Sequence, residues 1–214
     1  MSDDYNFYVK RERPEEVYKH VKDYFTKEII SQYASSKSIM KIQEKITLRA
    51  LEILNLKKKK GLILDAGCGP GFTAMYLKEL GYQTVALDII SEFLTYYHIH
   101  NLNPILADMC FLPFHSDSFD SIISISAVQW VYRDRDDKIM KKNLIHLAQS
   151  FYRVLKFKSS AIIQLYPKSK AIMEDIGKIF TTNTDFIGNF VIDNPHNPKK
   201  RKIFLVLKKI NETN

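Results

Sequence analysis

The chain has 214 residues, 45% hydrophobic and 26% charged, with a formal net charge of +8. This composition excludes a disordered or collagen-like chain, and no apolar run approaches the roughly 18 residues that a membrane-spanning helix needs. Cys68 and Cys110 are the only cysteines and lack zinc-type spacing, so two free thiols in an intracellular protein are expected, with no metal site. The positive charge favours polyanionic partners, nucleic acid before membrane.

Residues 1–14 read as a polar, aromatic arm, and Met1-Ser2-Asp3-Asp4-Tyr5 carries no basic or apolar leader pattern. From Glu15 to Ile30, Val17, His20, Val21, Tyr24, Phe25 and Ile29 recur at three- and four-residue steps and predict one helix. Residues 31–36 break it and can cap the next helix, whose apolar face is Ile39, Ile42, Ile46, Ala50, Ile53 and Leu54. Lys57-Lys58-Lys59-Lys60 suits the negative end of that helix.

A strand follows from Gly61 to Ala66, then Gly67-Cys68-Gly69-Pro70-Gly71, then a helix from Phe72 to about Gly81. Gly67, Gly69 and Gly71 let the backbone turn tightly and approach a ligand, and Pro70 suits a first helical position. Gln83–Asp88 is the second strand, and Ser91 is placed to cap a helix to about His98. Asn103–Asp108 is a short third strand whose Pro104 argues for a sheet edge. Phe119–Ser126 is a β-branched fourth strand. Leu144, Leu147, Ala148, Phe151 and Leu155 mark a helix, and Ala161–Tyr166 a fifth strand. A helix over Ile172–Phe180 and two closing strands, Phe186–Ile192 and Ile203–Leu207, complete the chain.

Strands alternating with helices predict an α/β fold, a mostly parallel sheet with an antiparallel final pair. A single domain covers 1–214: arm 1–14, N-terminal helices 15–56 and a core over 61–208. Three acids, Asp65, Asp88 and Asp108, end three successive strands, the place where open α/β sheets hold ligands. Asp88 lies 23 residues past Asp65, where an acid can take two ribose hydroxyls, and Asp108 can accept from an exocyclic adenine amine. Phe72 stands where a dinucleotide loop places its third glycine, and no Gly-Lys-Ser/Thr follows, which excludes a Walker-type loop. His98, His100 and His146 read as structural or surface residues.

The Asp-x-Gly-x-Gly-x-Gly run from Asp65 to Gly71 resembles class I S-adenosylmethionine-dependent methyltransferases. Ser124-Ile125-Ser126-Ala127-Val128-Gln129-Trp130, with Gln164-Leu165-Tyr166-Pro167 and the ending Val191–Pro195 and Phe204–Leu207, is similar to the eukaryotic small-subunit (18S) rRNA guanine-N7 methyltransferase family. Tyr33, Ile42-Gln43 and Thr47-x-Arg49-Ala50 match its helical N-terminal part. The resemblance covers roughly residues 15–208.

It implies a Rossmann-like fold with seven strands, the last antiparallel, helices on both faces and extra N-terminal helices. S-adenosylmethionine would meet Asp65, Gly67, Cys68, Gly69, Gly71, Asp88, Ile89, Asp108, Met109 and Ser124. Trp130 and Tyr166 would position a guanine, with no general base, because N7 carries a lone pair and no proton. Implied partners are small-subunit rRNA and a small zinc-binding activator subunit, docked on the apolar edge near 103–112. The implied location is the nucleus or nucleolus, with the cytoplasm also open. A tRNA or small-molecule methyltransferase sharing the activator, or an assembly factor whose binding outweighs its methylation, are the alternatives. The family's basic C-terminal extension has no counterpart before Asn214, Lys168 replaces its usual Glu, and Lys37-Ser38 replaces Ser-Arg.

Overall fold

A computed structural model describes residues 7–8, 12–56, 61–96, 102 and 104–210. The Lys57–Lys60 run, His98 and His100 lie outside them. Four helices come first: α1 (Pro14–Val17), α2 (Val21–Tyr24), α3 (Lys27–Ser35) and α4 (Lys37–Leu54). Then follow β1 (Leu62–Ala66), α5 (Phe72–Glu79), β2 (Gln83–Asp88), α6 (Ser91–Leu94), β3 (Ile105–Leu106), β4 (Phe119–Ile125), α7 (Lys138–Val154), β5 (Leu155–Leu165), α8 (Lys170–Thr182), β6 (Phe186–Asp193) and β7 (Lys202–Lys209). Among the described residues no helix is long and apolar enough to cross a membrane.

The strands form one seven-stranded sheet in the order β3-β2-β1-β4-β5-β7-β6. Every pairing from β3 to β5 is parallel, while β7 runs antiparallel to both β5 and β6. The order reverses between β1 and β4, so a crevice opens at their carboxyl ends. One face is covered by α4 and α5, where Ile46, Ala50 and Leu77 pack on Ile63, Ile123, Ile162 and Phe204. The other is covered by α7 and α8, where Leu144, Leu147, Phe151, Ile176 and Phe180 meet Leu64, Ile122, Ile163 and Leu205. The predicted seven-stranded sheet, its antiparallel last strand and its two helical layers are all present.

Several predicted elements differ. The helix expected over 15–30 is three short pieces, with extended backbone at Tyr18 and Thr26. Its apolar residues serve a local cluster instead, in which Val21, Phe25 and Tyr33 pack on Ile30, Ile90 and Phe93. The expected break over 31–36 is mostly helical, and only Ser36 acts as a cap, accepting from the Ile39 N–H at 3.3 Å. Asn55, in a left-handed conformation, ends α4. Ile42, placed on its apolar face from sequence, is exposed. Ser91 does not cap α6; its hydroxyl donates to Glu92 Oε2 and Ile90 holds the cap position. The third strand shrinks to two residues but does lie at the sheet edge. The fifth strand starts earlier than predicted, at Leu155.

Candidate methyl-donor site

Three side-chain contacts organise the carboxyl ends of the central strands. Ser124 is fully buried at the end of β4 and donates to the Ala66 carbonyl of β1 at 2.8 Å. Ser126 then takes a left-handed backbone (φ 57°), and its hydroxyl donates to Gln164 Oε1 of β5 at 2.8 Å. This turn brings Ala127 against the glycine loop. A Cβ on Gly67, whose φ is +79°, would stand 2.5 Å from the Ala127 Cβ. Only glycine fits that close approach. Gly71 is also left-handed (φ 97°) and forms the N-cap of α5.

A cavity of about 540 Å³ opens above these ends. Of the residues singled out from sequence, Gly67, Cys68, Gly69, Asp88, Ile89, Asp108, Met109 and Trp130 line it. Asp65, Gly71 and Ser124 are not among its lining residues. Tyr166 lies outside it, against a second, smaller cavity, with the Lys202 ammonium 5.1 Å from its ring centroid. Lys37 is not among the lining residues; the lining lysines and arginine are Lys19, Lys22 and Arg133. Tyr33, Gln43, Phe25 and Arg133 line the cavity without having been assigned a site role from sequence. The matching of Tyr33 and Gln43 to the family's N-terminal part is the signal that could have found the first two. Gln43 Nε2 donates to the Tyr33 hydroxyl at 3.3 Å, and Tyr33 stacks on Phe72.

The three strand-end acids differ in environment. Asp88 Oδ2 accepts from the Gly69 N–H at 2.8 Å and Oδ1 from the Ile90 N–H at 2.9 Å, which fixes both oxygens at the rim of the cavity. Burial raises its pKa, and the Ile90 and Gly69 amides oppose the rise. Asp108 caps the turn Met109–Phe111 through the Cys110 N–H at 2.8 Å. Asp65 is only 1% exposed, and its Oδ2 makes no hydrogen bond. Burial first, then the Asp88 charge, push its pKa up to about 8. A buried carboxyl with an orphan oxygen suits a cationic ligand nearby, so these residues fit a donor that carries positive charge and a ribose. Among the described residues no group of His, Cys, Asp and Glu could hold a metal ion.

The N-terminal helices roof the cavity. Lys19, His20, Val21, Lys22 and Phe25 line it from above. Trp130 is half-buried, with Tyr24 stacked at 5.8 Å and Phe25 tilted at 5.8 Å. Two arginines fasten this roof. Arg133 donates to the Tyr18 and Lys19 carbonyls at 3.2 and 3.0 Å, and Arg13 donates to the Tyr166 carbonyl at 3.0 Å.

The sheet order, the glycine turn and the strand-end acids define a Rossmann-like, S-adenosylmethionine-dependent methyltransferase. The family model described as a methyltransferase domain matches residues 64–163. The fold is also that of a TehB-like SAM-dependent methyltransferase from Corynebacterium glutamicum, with a TM-score of 0.55 at 17% identity over 78% of this chain and 87% of that one. A Pyrococcus horikoshii protein superposes with a TM-score of 0.65 at 18% identity, over 86% of this chain and all of that one. The chain is 34% identical over 189 residues to an 18S rRNA (guanine-N(7))-methyltransferase of Bos taurus, covering 86% of this chain and 67% of the relative. It is 36% identical to the corresponding enzymes of Arabidopsis thaliana (82% of this chain, 62% of the relative) and Saccharomyces cerevisiae (76% and 60%). The chain belongs to this 18S rRNA (guanine-N7)-methyltransferase family. It spans 60% to 67% of the length of these three relatives.

Proposed function

We propose that this protein transfers a methyl group from S-adenosylmethionine to N7 of a guanine in small-subunit rRNA during ribosome assembly. One observation carries the reading. A single cavity joins the glycine turn and the fixed Asp88 carboxylate to Trp130, whose ring now stacks with Tyr24 and can take an unstacked base in its place. The donor supplies an electrophilic methyl on a sulfonium. In this reading Gly67, Cys68 and Gly69 take its methionine part and Asp88 takes the ribose hydroxyls. Asp108, Met109 and Ile89 flank the adenine. Asp65, Gly71 and Ser124 shape the turn that the ligand meets.

Guanine N7 has an in-plane lone pair and loses no proton, so the residues have to align two reactants rather than remove a proton. His20, the histidine that lines the cavity, holds the N-cap position of α2, its backbone N–H donating to Asp23 Oδ2 at 3.2 Å. Trp130 supplies the stacking face; Tyr166 acts from the neighbouring cavity. Lys199 and Lys200 are exposed on the β6–β7 connection, near Tyr166 through Lys202, and suit phosphate contacts. Arg201, in the same basic run, is a structural residue: it is 6% exposed and donates to the Pro195 carbonyl.

The reading includes a small zinc-binding activator subunit at the β3 edge and work in the nucleolus. Leu106 is 59% and Phe111 61% exposed beside that edge. Cys110 and Leu112, counted from sequence as part of an apolar edge, are core residues at 4%. The docking surface is therefore narrower than the Met109–Leu112 run suggests. An added strand from a partner would cover β3 and these two side chains.

The test is transfer of labelled methyl to assembling small subunits, followed by cleavage chemistry specific for N7-methylguanine. A single labelled guanine is expected. Label on tRNA only, or at a different atom, overturns the proposal. Co-expression with the activator should raise soluble yield, and a lone chain of equal solubility and activity removes the partner.

A further inference from the structure

Beside the main cavity lies a second one of about 10 Å³, and Arg133 lines both. Two buried acceptor oxygens without hydrogen-bond partners belong to residues that line the small one: Glu15 Oε1 and Gln129 Oε1. Glu15 is 6% exposed and its nearest cationic partner, Arg13 Nη1, stands 3.7 Å away. Gln129 is held from its other end, its Nε2 donating to the Ser126 carbonyl at 2.8 Å. That bond fixes the amide so that the oxygen, not the nitrogen, is left over. Gln129 precedes Trp130 directly, on the short turn Val128–Trp130 that carries both side chains to the boundary between the cavities.

A buried acceptor without a donor costs free energy, and two that share one cavity call for donors that arrive together. Guanine presents such a pair on its Watson–Crick edge, the N1–H and the N2 amine, on the side of the base away from N7. Adenine presents one donor and one acceptor there, and would leave an oxygen facing a lone pair.

We propose that Gln129 Oε1 and Glu15 Oε1 recognise the Watson–Crick edge of the acceptor guanine while N7 points into the main cavity. The inference rests on the methyl-transfer reading and adds the residues that choose the base. The small cavity as it stands admits about one water, not a base edge. The site therefore forms when the acceptor displaces the ring of Tyr24 from Trp130 and the α1 segment, which carries Glu15, resettles around the base. Arg13 and Arg133 tie that segment to the rest of the fold through the Tyr166, Tyr18 and Lys19 carbonyls, while Arg13 also stands 3.7 Å from Glu15 and from Glu16.

The test compares guanosine with inosine, which lacks only the N2 amine, at the target position of an otherwise identical RNA. Methyl transfer by the wild-type protein should fall about ten- to hundredfold in kcat/KM with inosine. Gln129→Met, which removes the acceptor at similar volume, should lower transfer to guanosine and shrink the guanosine–inosine ratio towards one. Calorimetric binding of S-adenosylmethionine, unchanged in the variant, shows that it has folded. Equal rates on guanosine and inosine with wild-type protein overturn the edge recognition and leave the methyl-transfer reading intact, the two oxygens then being served by an ordered water only. No transfer to either RNA, with donor binding retained, overturns the methyl-transfer reading and the recognition with it.

Discussion

Asp65 lies near the carboxyl end of β1 with its side chain closed off from water. Its raised pKa, about 8, has a definite consequence for stability. In the unfolded chain the group ionises near pH 4, while in the folded, unliganded protein it keeps its proton to about 8. Its contribution to stability is thus fully present below about pH 4 and is lost as pH rises through the folded value. A cationic donor reverses the preference and draws the proton off. Calorimetry at pH 7 in buffers of different ionisation heat should therefore show proton release on binding S-adenosylmethionine, with affinity rising from pH 6 to 8. Asp65→Asn should abolish the proton release. The same substitution should flatten the fall of the thermal midpoint between pH 5 and 8. At Gly67 the limit is steric. Gly67→Ala puts a methyl against Ala127 in a left-handed backbone, at a cost of about 3 kcal/mol, and should lower the melting temperature by roughly 10 °C along with donor affinity. The need for glycine at that position was legible from the loop itself. The identity of what crowds it was not, because Ala127 reaches Gly67 from another strand.

At the scale of elements, alternation of apolar runs with helical periodicity located all seven strands, since each central strand is buried on both faces and reads as a continuous apolar run. The broken helix over 15–30 has a definite cause. Spacing over 15–30 cannot distinguish one helix from three pieces when the apolar residues turn towards a satellite cluster around Ile90 and Phe93 instead of the sheet. The roof over the cavity is built from those pieces, so Phe25 and the Arg133 fastening could not be found from periodicity. In the sequence Arg49 and Asp193 are only parts of separate motifs; in the fold they meet as a two-bonded pair at 2.9 and 3.1 Å that ties α4 to the end of β6. The helix caps can be measured separately. Ser169 accepts from the Ile172 N–H at the start of α8, and Ser169→Ala should cost about 1 kcal/mol by urea unfolding without altering donor binding.

Across the whole molecule, the net charge of +8 is not spread uniformly in function. Some cations are committed inside the fold: Lys209 is fully buried, its ammonium 2.7 Å from Asp117 and from the Leu155 carbonyl, and Arg201 closes the β6–β7 connection. Lys199 and Lys200 remain exposed for a polyanion. Replacing both with Glu should weaken RNA binding in a filter assay and reduce its salt dependence by about one log unit of slope per removed phosphate contact. Affinity for S-adenosylmethionine should stay as it was. The three acids and the glycine turn could be seen along the chain because each lies at a strand end. The cavity that joins Asp88, Asp108, Gly67 and Gly69 to Trp130 depends on the reversal of strand order.

The insertion of β7 between β5 and β6 imposes an order on synthesis. β6 leaves the ribosome before β7, its pairing partner, and β5 offers a bare edge while α8 and β6 emerge. Until Lys202 and the residues after it arrive, the nascent protein displays an open template for pairing with other chains. Chains arrested just before Lys202 should stay bound to chaperones or aggregate, whereas chains arrested after enough further residues have cleared the exit tunnel should become protease-resistant in one step. A gradual gain of resistance as β6 emerges would show that the sheet closes by another route.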